Sequence, residues 1–396
     1  MDIKIIDKAL APYEKTLRAQ ERFRRTLGVK EVDRPTYERY IIGDIERFDR
    51  KRTAFLCLMQ RDNPYGEEFR ERFKRQTGHD SFSDHLPQSE LEHEDRIGSS
   101  MAAAAVRLCT EYNPKTLPVT PSEGRVPVDS RSQMSRLIKK VALLFGAEMV
   151  RITKLDQRWV YKDIDIPHKY AIIVAVSHKR GLNATAPSHL SGVGVSDTYS
   201  RLKFISTQLA DFICGMGYEA MYRETRGPLM EMNLVPMAID AGIGEFSRNG
   251  RVLSPEFGIN MRLKAVTTDL PLKIDKPISF GVHEFCMACE SCATFCPANA
   301  IPYGPPTDEP PNIHNNKGVR KWFVRADRCL TFWSANKKKW VTCGGRCIVV
   351  CPWNKPMVFW HNLVRWIAIH SPHWLKKFLS WADIVLYRHK KSIVRK

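Results

Sequence analysis

Cys286-Met-Ala-Cys289-Glu-Ser-Cys292-Ala-Thr-Phe-Cys296-Pro297 is the stretch on which the reading of this chain turns. Three closely spaced cysteines followed by a Cys-Pro match the ligand spacing of bacterial ferredoxins, where the fourth thiolate serves the other of two cubane clusters. A second, looser run supplies Cys329, Cys343, Cys347 and Cys351-Pro352. Exchange of the fourth ligands predicts one [4Fe–4S] cluster on Cys286, Cys289, Cys292 and Cys351, and another on Cys329, Cys343, Cys347 and Cys296. Zinc is the alternative for cysteine clusters, but it takes four ligands in one tetrahedron and does not account for eight cysteines ending in two Cys-Pro dipeptides.

The remaining composition bounds the class. The chain has 396 residues, of which 43% are hydrophobic, enough for two or three structural units. Eleven cysteines less the eight of the cluster runs leave Cys57, Cys109 and Cys214 without a pairing pattern, which argues against a disulfide framework and for a reducing compartment. No stretch has the length and apolarity of a membrane span, and no apolar run of signal-peptide length follows Met1, so a cytoplasmic location is expected. The formal charge of +19 falls to roughly +15 once two clusters of about −2 each are counted. Such a surplus suits nucleic acid, anionic lipid or an acidic electron donor.

Upstream of the cysteines, Leu10, Tyr13 and Leu17 have helical spacing, and Gln60 to Ile97 is polar, with His79, His85 and His93 too irregular for a metal signature. Asn113 to Val128 reads as a proline-punctuated loop. Asp129 or Ser130 then caps an amphipathic helix whose apolar face is Met134, Leu137, Ile138, Val141 and Leu144, closed by Gly146. Ala147 to Thr153 alternates like a strand, and Tyr170 to Val176 is a continuous apolar run, as a buried central strand is. A Gly/Ser/Pro-rich loop is expected from His178 to Thr198, a helix from Tyr199 to Gly215, and strands at Gly217–Tyr222 and Met261–Leu270. The alternation predicts a layered core of helices and sheet.

Gly242, Gly244 and Gly250 lie in the glycine-dense segment Val235–Gly258. They serve either tight turns or a close approach of backbone to a bound cofactor. The third glycine of a dinucleotide fingerprint is missing, because position 247 is serine. Beyond Pro356 the tail is rich in tryptophan, and from Lys376 onward it carries seven Lys/Arg against one Asp. It either packs its aromatics on the cluster unit behind a basic outer face, or lies on anionic lipid at the inner face of the membrane.

Taken together, Trp159-Val-Tyr, Ile166-Pro-His-Lys-Tyr-Ala-Ile-Ile, Thr198-Tyr199-Ser-Arg-Leu, Ala-Ile-Asp-Ala-Gly-Ile-Gly-Glu, Pro255-Glu-Phe-Gly and the double cluster run ending Cys351-Pro-Trp-Asn-Lys-Pro resemble the corrinoid iron–sulfur reductive dehalogenases. The cluster motifs are shared with epoxyqueuosine reductases. The resemblance implies an α+β chain: a nitroreductase-like α/β core holding a base-off corrinoid (cobalamin), followed by a ferredoxin-like module. The implied division is a helical and loop region at 1–128, a corrinoid and substrate core at 129–275, a two-cluster module at 276–356 and a basic tail at 357–396.

The same resemblance implies that Tyr199 donates a proton and that Arg262 is the active-site arginine. Replacing carbon–halogen by carbon–hydrogen takes two electrons and a proton. A phenol is a weak acid, and a guanidinium beside it favours the phenolate and can hold the departing halide. On the residues alone, Tyr199 reads as a helix-start residue packed on the core and Arg262 as a strand arginine paired with a carboxylate. Family members carry a polar residue, often Asn, near the position of Leu229; Asn233 is the local candidate to replace it. The expected activity is removal of halide from an organohalide, with reduced ferredoxin or flavodoxin as donor. Reduction of an epoxide-bearing tRNA nucleoside is the second reading. A bare electron carrier is the third, and the roughly 280 residues ahead of the clusters exceed what it needs.

Overall fold

The computed structural model describes residues 6, 8–80, 93–111, 119–224, 229–335 and 345–387. Cys343, His85, residues 113–118 and residues 226–228 lie outside them, as do the side chains of His93 and Cys109. The first helix, α1 (Ala11–Leu27), ends at Gly28, whose φ of +80° forms a left-handed cap. It is tied to the rest of the molecule from inside. Arg24, 6% exposed, donates to Glu256 Oε1 at 2.5 Å and to the Gly242 carbonyl at 2.7 Å. A buried guanidinium with both a counter-ion and carbonyl acceptors avoids an uncompensated charge.

Two short helices, α2 (Ala54–Met59) and α3 (Glu67–Thr77), lie in the polar stretch. They bury Leu58, Phe69 and Phe73 with Leu330 in a separate small core. Next come α4 (His93–Glu111) and α5 (Arg131–Leu144). Ser130, not Asp129, caps α5, its Oγ accepting from Gln133 N at 3.4 Å.

The sheet consists of β1 (Met149–Lys154), β2 (Tyr170–Ser177), β3 (Ala220–Arg223) and β4 (Met261–Thr268), in spatial order β1-β2-β4-β3 and antiparallel throughout. The continuous apolar run of β2 follows from burial on both faces. Ile172, Val174 and Val176 pack with Leu202, Ile205 and Leu209, and Ala171, Ile173 and Ala175 with Trp159, Met237 and Ile239.

The helix between β2 and β3, α6, runs from His189 to Gly215 and begins ten residues earlier than its sequence predicts. Its start is a reciprocal capping box of Ser188 and Ser191. The glycines that read as loop are accommodated inside it; a Cβ on Gly194 would stand 3.3 Å from Asn183 Oδ1. Tyr199 therefore sits three turns into a helix and not at its start. After α7 (Leu234–Asp240) and β4, the chain enters the cysteine module with α8 (Val282–Cys289), reaches α9 (Ala326–Ala335), and ends in the pair α10 (Phe359–His370) and α11 (His373–Leu386). The aromatics of that last pair do not pack inward. Trp360, Trp374 and Trp381 are 70%, 68% and 58% exposed, while Arg365, Ala368, Lys376 and Ser380 form the buried side.

Candidate functional site

The register of the sheet builds one wall of the site. Arg262 lies opposite Val176 at the end of β2, on the face covered by α6, and its guanidinium carbon sits 5.2 Å from the centre of the Tyr199 ring. Two residues beyond Val176, His178 locks the junction. Its backbone N–H donates to the Asn260 carbonyl at 3.0 Å, and Asn260 Nδ2 returns a bond to the His178 carbonyl at 2.9 Å. His178 Nδ1 lies 3.0 Å from Thr198 Oγ1, whose own proton goes to the Gly194 carbonyl at 2.7 Å. Burial, and then the charge of Arg262, hold the His178 pKa well below the ordinary value, so the ring is neutral and donates to Thr198. His178 thereby ties the residue next to Tyr199 to the strand end that carries Arg262, a role no motif announced.

Tyr199, Arg262 and Asn233 share one cavity of ≈520 Å³ with Cys296, Cys329 and Cys347. A second cavity of ≈270 Å³ adjoins it and shares Asn233, Val235, Gly250 and Val324. Asn233 also caps α7, accepting from Val235 N at 3.2 Å, whereas Leu229 is 65% exposed and lines neither cavity. Of the three glycines, Gly250 alone borders this space. Gly242 and Gly244 face the protein's own backbone, where an added Cβ would stand 2.1 Å from the Lys276 carbonyl oxygen and 2.0 Å from that of Leu253. Close approach is what these two glycines provide, and what approaches is peptide.

Cys286, Cys289, Cys292 and Cys351 line a separate small cavity, beside Arg248. Burial pushes the Cys286 thiol up to about 12, and burial followed by mutual repulsion drives Cys292 well above the thiol range. Four sulfurs lining one small cavity hold negative charge together only with a cationic centre among them, so the donor set fits an iron–sulfur core. The Arg248 guanidinium, 1% exposed, donates to the Cys286 carbonyl at 2.9 Å and the Gly304 carbonyl at 2.8 Å, and stands over Trp322. It ties α8, at Cys286, to the loop at Gly304. The signal for it was an arginine inside Phe-Ser-Arg-Asn-Gly250, too short to stand alone.

The two halves are latched where Pro255-Glu-Phe-Gly258 meets Cys351-Pro-Trp-Asn354. Asn354 Oδ1 accepts from Ile259 N at 2.8 Å, and a Cβ at Gly258, with φ of +59°, would fall 2.2 Å from that same oxygen. Both motifs thus have one physical reason.

Comparison with known proteins agrees with this geometry. Residues 285–355 match the 4Fe-4S dicluster domain family. The tetrachloroethene reductive dehalogenase of Sulfurospirillum multivorans is 30% identical over 299 residues, covering 66% of this chain and 58% of that one. The epoxyqueuosine reductase of Salmonella typhimurium is 25% identical over 198 residues, 46% of this chain and 44% of that one. A solved reductive dehalogenase superposes with a TM-score of 0.68 at 22% identity, over 91% of this chain and 48% of its own. The chain spans little more than half the length of the first curated dehalogenases it matches. It is thus a relative of the reductive dehalogenases, with a 4Fe-4S dicluster domain over residues 285–355 and a more distant kinship to the epoxyqueuosine reductases.

Proposed function

We propose that this chain is a reductive dehalogenase, replacing the carbon–halogen bond of an organohalide by carbon–hydrogen. One observation carries the reading: a single cavity is walled by Tyr199 and Arg262 on the core side and by Cys296, Cys329 and Cys347 on the module side. In this reading 129–275 is a nitroreductase-like core and 276–356 a ferredoxin-like module, flanked by the 1–128 region and the 357–396 tail. Cys286, Cys289, Cys292 and Cys351 hold one cluster, and Cys296, Cys329, Cys343 and Cys347 the other.

The larger cavity has a substantially apolar wall, including Met232, Leu234, Val252, Ile259 and Met261, of the chemistry that receives a planar macrocycle. The solved relative named above is described in connection with B12-dependent dehalogenation, which supports a corrinoid as the occupant. Bound there, a corrinoid would supply the redox-active metal that the chemistry needs. The chain's own residues do the rest. Gly250 and Asn233 line both cavities and would border such a group. Tyr199 delivers a proton to the carbon that loses halide, and Arg262 stabilises the phenolate and the departing anion. An acidic reduced ferredoxin or flavodoxin suits the net charge of +19.

The kinship to epoxyqueuosine reductases, together with that charge, favours tRNA nucleoside reduction as the second reading. Anaerobically reconstituted protein separates the two. The expected result is about eight iron and one cobalt per chain, corrinoid bands in the visible spectrum, and halide release from a haloaromatic or haloalkene panel. Cobalt-free protein, or turnover of epoxyqueuosine tRNA with no halide release from any organohalide, would sink the proposal.

A further inference from the structure

The terminal pair α10 and α11 is amphipathic in the reverse of the usual sense. Its buried side carries hydrogen-bonded polar groups beside Ala368, Ile369 and Leu379: Arg365 donates to the Trp353 carbonyl at 3.1 Å and to Asn362 Oδ1 at 2.7 Å, and Lys376 donates to the Ser371 carbonyl. Its exposed side is apolar, with Phe359 71%, Phe378 52% and Leu386 76% exposed in addition to the three tryptophans. An outward aromatic face of this size is not what a solvated helix pair presents.

We infer that this face is a docking surface for an anionic lipid bilayer. Between α1 and α10 runs a groove of ≈730 Å³, with Lys15, Arg18 and Arg22 on one wall and Phe359, Leu363 and Trp366 on the other. Cations beside an aromatic floor match a negatively charged headgroup above acyl chains, and tryptophan is the side chain that favours the headgroup level. The sequence from Lys376 onward adds seven Lys/Arg against one Asp. A second copy of the chain fits worse. A two-fold contact would bring this cationic edge against its own image, and Glu14 is already held by Arg18 and Arg136. No helix among the described residues is long and apolar enough to cross a membrane, so the surface rests on the bilayer and does not span it.

The inner side of α11 gives this contact a consequence. Ser380 Oγ lies 3.0 Å from Cys289 Sγ, so the cluster ligand touches the inner side of the helix from which Trp374, Phe378 and Trp381 are exposed, a helix about 10–12 Å across. Docking places the cluster held by Cys289 next to the membrane surface. The surface stands whether or not the chain dehalogenates; only this last step rests on the cluster reading.

The test is co-sedimentation of the full, cluster-loaded chain with phosphatidylglycerol vesicles and with phosphatidylcholine vesicles, with quenching of tryptophan fluorescence by brominated lipid. Binding to the anionic vesicles alone is expected, falling steeply between low and high salt. The triple variant Trp360→Ser, Trp374→Ser, Trp381→Ser should lose at least about tenfold in partition with iron content unchanged. Lys15→Glu with Arg22→Glu, which leaves the aromatics intact, should weaken it too. No binding at low salt, or binding indifferent to both variant sets, would overturn the proposal. So would a dimer in solution that the triple variant dissolves and vesicles do not disrupt.

Discussion

The Arg262 guanidinium carbon stands 5.2 Å from the centre of the Tyr199 ring, a cation facing an aromatic whose phenol borders the cavity. The contact joins a strand to a helix that are 63 positions apart at these residues, and it exists because β2 and β4 pair Val176 with Arg262. Tyr199→Phe keeps the ring and the cation–π contact and removes only the hydroxyl. Halide release should fall by on the order of a hundredfold or more, with iron and cobalt content unchanged. A variant that turns over at the parental rate removes Tyr199 as the proton donor.

Iron content tests the ligand grouping. Cys292 shares its cavity with Cys286, Cys289 and Cys351 and not with Cys329. Cys292→Ala should therefore lose roughly half of the iron, or convert one cluster to a three-iron form, while the other cluster keeps its signal. Loss of all iron, or of none, contradicts two independent sets of four.

How much of this was legible beforehand depended on the range of the signal. The cysteine spacing and the period of the α5 and β2 segments are local: the spacing agrees with the dicluster match over 285–355, and the two periods hold except at Leu144, which is 49% exposed at the end of α5. The start of α6 was misplaced because glycine and serine at 191–196 carry low helix propensity, and only the Ser188 box and packing against Asn183 override it. His178 and Arg248 were not singled out because each acts on partners that only the fold brings near, His178 on Thr198 and Asn260, Arg248 on Cys286 and Gly304. The tail was ambiguous for a different reason. Helical spacing shows that an apolar face exists, but not whether that face turns inward.

Ser380 carries a prediction about electron flow. Its hydroxyl donates to Cys289 Sγ at 3.0 Å, and Ser291 Oγ stands 3.1 Å from it. A donor to a ligand sulfur stabilises the more negative, reduced cluster. Ser380→Ala should lower the midpoint potential of that cluster by on the order of 40 mV, taking a differential bond strength of ~1 kcal/mol in a one-electron couple. A redox titration followed by electron paramagnetic resonance reads this without substrate. An unchanged or raised potential would show that the hydroxyl bonds the Cys289 carbonyl, 3.2 Å away, instead.

Asp240 should make the fold lose stability as pH rises. Burial pushes its carboxyl up to about 7, against the opposing effect of the Tyr37 hydroxyl, which donates to Oδ1 at 2.8 Å. An unfolded aspartate titrates near 3.9, so between about pH 4 and pH 7 the folded chain binds more protons than the unfolded one. Stability therefore declines across that window and levels off above it. Asp240→Asn keeps an acceptor for Tyr37 and removes the titration. At pH 4 and below, variant and parent should differ little; at pH 8 the variant should be the more stable, by on the order of 4 kcal/mol. Anaerobic thermal unfolding of both proteins at the two pH values checks the sign. A variant destabilised equally at both would mean that the carboxylate is held by the positive charge of Arg158, and that burial does not decide its protonation.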